Sequence, residues 1–193
     1  MPYTTSHKMK VRKKILDSAA HEFRTNGIKE VSVPRLMNGA GLTHGGFYAH
    51  FKNKDQLVAE VCSKAIEDTI DRLQQIAMNN GDPAGLQAVV EFYLSDSHRD
   101  HPDEGCIIPS LAGEISRSSD DIREVFTEEI RRFISFLTSL GTISRDQGAA
   151  FLSTMVGSLL LSRSVSDPDL SRNILSSCKT LITKEILSVQ TAK

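Results

Sequence analysis

Apolar residues recur along almost the whole chain at intervals of three to four, the repeat of an α-helix, and no stretch alternates as a strand would. The pattern predicts an all-α fold without internal repeats. Residues 1–8 are polar and basic and read as a mobile arm. Over 9–26, Val11, Ile15, Ala19, Ala20 and Phe23 make one apolar stripe, and Gly27 suits a left-handed C-terminal cap. A short helix is expected over 33–40, with Ser32 as its N-cap and Pro34 tolerated in the first turn. Leu36, Met37 and Ala40 form its inner face, while Gly39 inside it costs about 1 kcal/mol relative to alanine, so something else has to hold it. Gly41 ends it, Leu42 sits in a tight turn, and Thr43 caps a third short helix.

That third helix is the stretch GLTHGGFYAHFKNKDQL. Phe47 and Phe51 are four apart and share one face, whereas His44 and Tyr48 share another, about 100° away. The phenylalanines are expected to pack on Phe23 and Leu36, leaving His44 and Tyr48 outward. Gly45 and Gly46 leave backbone N–H groups bare at a helix start, an arrangement suited to phosphate and to close approach of a surface. Asn53 caps a long helix to about residue 78, and the run 79–83, Asn-Asn-Gly-Asp-Pro, breaks the chain. Further helices are expected over 86–96, 107–116, 120–140, 144–164 and 168–189, with a polar loop over 97–105. Ser144 and Gln147 form a capping box.

Charge changes the picture. Residues 1–54 hold ten Lys or Arg against three Asp or Glu, a formal +7, while the remainder holds thirteen against twenty-one, a formal −8. The net of −1 therefore hides a basic head on an acidic body, which favours a polyanionic partner for the head. Cys62, Cys106 and Cys178 are far apart, and the first twelve residues resemble no secretory leader, so free thiols in the cytoplasm are expected. The longest apolar run, 148–161, is too short and too rich in Ser and Gly to span a bilayer.

Three short helices with a glycine turn between the second and third describe a helix-turn-helix. The segment SVPRLMNGAGLTHGGFYAHFKNKDQLV, residues 32–58, resembles the DNA-binding signature of TetR/AcrR-type transcriptional regulators. The resemblance covers roughly residues 10–60. It implies a DNA-binding head over 1–53 and a helical ligand-binding and dimerisation body over 54–193. It implies that Thr43 and Tyr48 offer hydroxyls to phosphates and that Lys54 adds its charge at a helix start. It places His44, Gly45 and Gly46 in the major groove, with His44 at a base edge, and Ser32, Val33 and Arg35 on the flanking backbone. His50 stays open between backbone contact and packing. The family often has Lys or Arg near position 44 and Ser, Thr or Ala at position 46. Two glycines here shift readout toward backbone contacts and DNA shape.

The resemblance further implies a homodimer that binds a palindromic double-stranded operator as a repressor and is released by a small-molecule inducer through a population shift. The apolar circumference of the 144–164 helix agrees with pairing, and Met155, Gly157, Ser158, Leu161, Ile174, Cys178 and Leu181 are the candidates for that interface. Burial within one subunit explains the same pattern. Candidate pocket residues are Phe92, Tyr93, Cys106, Ile107, Phe126, Phe133, Met155 and Leu159, although apolar positions at helical spacing are core by default. His98, His101 and Cys106 raise a second reading, a thiol- or metal-responsive regulator, because a thiolate at a helix start is stabilised by the dipole. Their spacing matches no recognised metal site, and no metal or cofactor is expected. No nucleophile elbow, P-loop, dinucleotide fingerprint or HExxH motif is present, so the chain does not read as an enzyme.

Overall fold

A computed structural model describes residues 5–81, 84–141 and 143–191. Three elements make the head: α1 (Thr5–Glu30), α2 (Val33–Gly39) and a 3-10 helix (His44–Ala49). The body follows as α3 (Lys54–Asn80), α4 (Gly85–Tyr93), α5 (Asp96–Asp100), α6 (Ile107–Ile115), α7 (Asp120–Ser139), α8 (Arg145–Ser164) and α9 (Pro168–Thr191). Among the described residues there is no strand, and the fold is all-α.

Local signals account for most of these elements. Ser32 is extended and its hydroxyl accepts the Arg35 N–H, Asn53 accepts the Gln56 N–H at 2.8 Å, and Ser144 and Gln147 bond reciprocally as a capping box. Gly27 has φ 78 and ψ 166 and interrupts α1, so residues 28–30 form a separate turn. Gly39 is explained by contact: a Cβ there would lie 2.7 Å from the Ser18 Oγ, which itself donates to the Leu36 carbonyl. The glycine lets α2 lie close on α1.

Three expectations are corrected. Residues 5–8 begin α1 rather than forming an arm; residues 1–4 lie outside the described residues. Gly81, with φ 69, closes α3 as the break at 79–83 predicts, while Asp82 and Pro83 lie outside the described residues. The helix expected over 86–96 stops at Tyr93, and the 97–105 loop contains most of α5. Ser95 is extended and its hydroxyl accepts the His98 N–H at 3.1 Å, so a new helix starts where the apolar pattern alone shows continuity.

The long α3 is the spine. Leu57, Val58, Val61, Cys62, Ala65, Ile66, Ile70, Leu73 and Ala77 bury one face of it, chiefly against α4 and α7. The head docks on the body through α1 against α3 and α6. Buried apolar residues form one continuous cluster from Ile15 and Phe23 in α1 to Ile186 in α9, so head and body share a core.

Candidate nucleic-acid interface

The third element of the head is a 3-10 helix, tighter than the α-helix its spacing suggests. Adjacent glycines disfavour α-helix, and the Thr43 side chain makes no capping bond. The two faces nevertheless separate as expected. Phe47 and Phe51 are buried and stack at 5.5 Å, while His44 and Tyr48 are exposed and meet edge-to-face at 6.2 Å. Phe47 also lies edge-on to Tyr48 at 5.3 Å, so the buried ring props the exposed one. Among the described residues the Thr43 and Tyr48 hydroxyls make no hydrogen bond, and both residues are exposed.

Both glycines are free of internal duties. Neither has positive φ. Among the described residues, a Cβ at Gly45 would meet nothing within 4 Å, and one at Gly46 would make only ordinary contact with Met37 at 3.6 Å and Thr43 at 4.0 Å. Neither the backbone nor the packing of the described residues requires glycine at position 45.

Other head candidates are partly engaged. Ser32 spends its hydroxyl on the α2 cap, Arg35 pairs with Glu22 at 2.8 Å, and Val33 is half-buried against the core. Lys54 donates to the Ile28 carbonyl, which leaves its remaining protons for another partner. Burial lowers its pKa, partly offset by Glu114 and Asp55. His50 is half-buried with its Nδ1 enclosed and unpartnered; burial, then Lys8 and Arg12, lower its pKa and favour the neutral ring. It lines a cleft of about 420 Å³ with Lys8, Val11, Met37, Thr43 and Gly46, between the start of α1 and the 3-10 helix.

Not every base in α1 is available. Arg12 pairs with Glu60 at 2.5 Å and stacks over the Phe51 ring at 4.5 Å, and Lys13 bonds Asp17. Lys8, Lys10, Lys14 and Lys52 are exposed and form no salt bridge among the described residues. Lys52 carries no role in the sequence reading; the signal for it was its position beside Asn53, at the mouth of the α3 cap.

In the body, Phe92, Tyr93 and Cys106 line a cavity of about 150 Å³ together with Arg24 of α1 and Thr69 and Arg72 of α3. The sequence reading picked none of these α1 and α3 residues, because a helix stripe does not say which polar residue flanks a void. Ile107, Phe133, Met155 and Leu159 are fully buried and Phe126 is partly buried; none lines this cavity.

The metal and thiol reading is not favoured. His98 is buried, its Nδ1–H donating to the Tyr93 carbonyl at 2.8 Å and its Nε2 accepting the Cys106 N–H at 3.0 Å. With both nitrogens committed to backbone, and its pKa held down to about 4 chiefly by burial, it is a structural link. His101 is exposed and bonds the Ser97 carbonyl. Cys106 is buried, and burial pushes its thiol pKa up, opposite to a reactive thiolate. Among the described residues no three His, Cys, Asp or Glu could together hold a metal ion.

On α8 and α9, Leu160, Leu161 and Leu181 are exposed, and among the described residues a Cβ at Gly157 would meet nothing within 4 Å. Ile174 and Cys178 are half-buried beside them. Met155 and Ser158 are corrected: they turn into the subunit's own core, where the Ser158 hydroxyl bonds the Thr154 carbonyl. Among the described residues no helix is long and apolar enough to cross a membrane.

The head is therefore a helix-turn-helix unit with a bare, aromatic, outward-facing third element. The model of bacterial regulatory proteins of the tetR family matches residues 15–61. The HTH-type transcriptional repressor KstR2 of Rhodococcus jostii is 31% identical over 142 residues, covering 74% of this chain and 63% of that protein. KstR2 of Mycolicibacterium smegmatis is 36% identical over 75 residues, covering 39% of this chain and 37% of that protein. The chain thus spans less than two thirds of the length of these curated relatives. In fold it is similar to a TetR-family regulator from Agrobacterium tumefaciens, with a TM-score of 0.76 at 17% identity over 93% of this chain and 98% of that one. A TetR regulator from Chloroflexus aurantiacus gives 0.74 at 22% identity over 91% and 96%. The chain belongs to the TetR family.

Proposed function

We propose that this chain is a homodimeric, ligand-responsive transcriptional regulator in the cytoplasm, a repressor that leaves a palindromic operator when a small molecule binds the body. The observation that carries the DNA-binding part is position 45. A glycine required by neither conformation nor internal packing lies between exposed His44 and the Tyr48 ring, which suits close approach of an outside surface. Exposed Lys8, Lys10, Lys14 and Lys52 supply the phosphate term. The dimer rests on Leu160, Leu161 and Leu181, large apolar side chains left open on α8 and α9.

Fragments selected from random duplex DNA should converge on a palindrome. Binding should weaken steeply with salt. Tyr48→Phe should weaken binding to every sequence, whereas His44→Ala should change the preference among sequences. Indifference of the selected profile to both substitutions would remove the 3-10 helix from the interface.

A further inference from the structure

The cavity of about 150 Å³ lies where head meets body: Arg24 comes from α1, Asp68, Thr69 and Arg72 from α3, and Tyr93 and Cys106 from α4 and the start of α6. Among the described residues, two buried polar atoms of its walls have no partner, the Arg24 Nε and the Tyr93 hydroxyl. Among the described residues no carboxylate lies within salt-bridge distance of Arg24, although it is partly buried. Burial pulls its pKa down, and the acids that oppose this act only through space. A partly desolvated guanidinium without a counter-ion is costly unless something supplies one.

The other charges do not supply it. Asp68 is drawn to Lys64 at 2.9 Å, and Glu104 is exposed at the rim. Arg72 stands at the mouth with its guanidinium 4.8 Å over the Phe92 ring. The Cys106 thiol beside Tyr93 is a weak donor and acceptor, so it leaves the phenol hydrogen-bonding capacity largely open. A ligand here therefore meets a cation inside, a phenol beside it and a second cation at the entrance. A cavity of about this size has room for one six-membered ring.

We propose that this cavity binds a small monocarboxylate, of the size of benzoate, with its carboxylate on Arg24 and the Tyr93 hydroxyl. The inference deepens the ligand-responsive reading above and rests on it only for its consequence in DNA binding. The route to the head is short. Three residues beyond Arg24 the chain turns at Gly27, and the next two N–H groups, of Ile28 and Lys29, are each held at 3.0 Å by the Glu114 carboxylate of α6. Lys54 holds the Ile28 carbonyl from α3. A ligand that draws on Arg24 thus pulls on the joint between α1 and α2.

The test is titration calorimetry on the full chain with acetate, butyrate, benzoate and salicylate, against benzamide and benzylamine as neutral and cationic isosteres. At least one carboxylate should bind in the micromolar to low millimolar range and at least tenfold more tightly than benzamide. Arg24→Gln should erase that preference, and Arg24→Lys should restore part of it. Arg72→Gln, at an exposed position, should weaken carboxylate binding severalfold with the fold intact by circular dichroism. Binding of no carboxylate, equal binding of benzamide, or preference for benzylamine overturns the proposal. Operator affinity is read separately. Carboxylate binding without change in operator affinity keeps the site and sinks the inducer reading, whereas operator binding by a protein that takes no carboxylate keeps the regulator and sinks the site.

Discussion

Glycine is put to opposite uses in the head's outer face and in the joint between head and body. At Gly45 a side chain would meet open space. At Gly27 a Cβ would lie 2.4 Å from the Glu114 Oε1, and at Gly105 one would lie 2.7 Å from the His98 ring. The inner glycines answer to this chain's own backbone and neighbours. The outer one answers to nothing among the described residues, and so points to something beyond them. A sequence shows the same letter in each place; the distance to the nearest atom separates the two uses.

The largest effect should follow Gly27→Ala. Its φ of 78 with ψ 166 is a region kept almost entirely for glycine, where other residues pay about 1–3 kcal/mol. The added methyl would also push Glu114 off the Ile28 and Lys29 amides. A loss of about 3 kcal/mol in denaturant unfolding is expected, and a loss under 1 kcal/mol would mean the joint is not held as described.

Next comes pH, through the His98 link behind Gly105. Its folded pKa, about 4, lies below the unfolded value near 6.5. The unfolded chain therefore takes up a proton first as pH falls, and stability drops between about 6.5 and 4. The contribution of this group is a loss of about 2 kcal/mol by pH 5. Thermal unfolding across this range should show the slope, and His98→Gln should flatten it relative to the unsubstituted chain.

The smallest effect on stability should come from Gly45→Ala, a change within about 1 kcal/mol and in the stabilising direction, because it restricts the unfolded chain. Operator affinity should nonetheless fall at least tenfold in a fluorescence anisotropy titration. Unchanged affinity would dissolve the contrast between inner and outer glycines.

Much of this was legible locally. The caps at Ser32, Asn53 and Ser144, the turn at Gly27 and the division of Phe47 and Phe51 from His44 and Tyr48 all follow from spacings of four residues or fewer. Where local signals competed, reading failed: Ser95 restarts a helix inside an unbroken apolar pattern, and Gly45 with Gly46 tighten a short helix to 3-10 geometry. The candidate cavity was half legible. Phe92, Tyr93 and Cys106 could be picked as apolar positions, but nothing in the pattern marked Arg24, forty-four residues before Asp68, the nearest α3 residue that lines the same cavity.

By itself the sequence determined most of the helices and caps, the basic head and the two faces of its third element, because these depend on short-range periodicity and on charge summed along a segment. Only the tertiary structure decided that His98 is a buried link, that Met155 and Ser158 face inward, and that Glu114 grips amides 86 and 85 residues away. Burial and hydrogen-bond satisfaction are set by what folds back from far along the chain, and no local pattern carries that information.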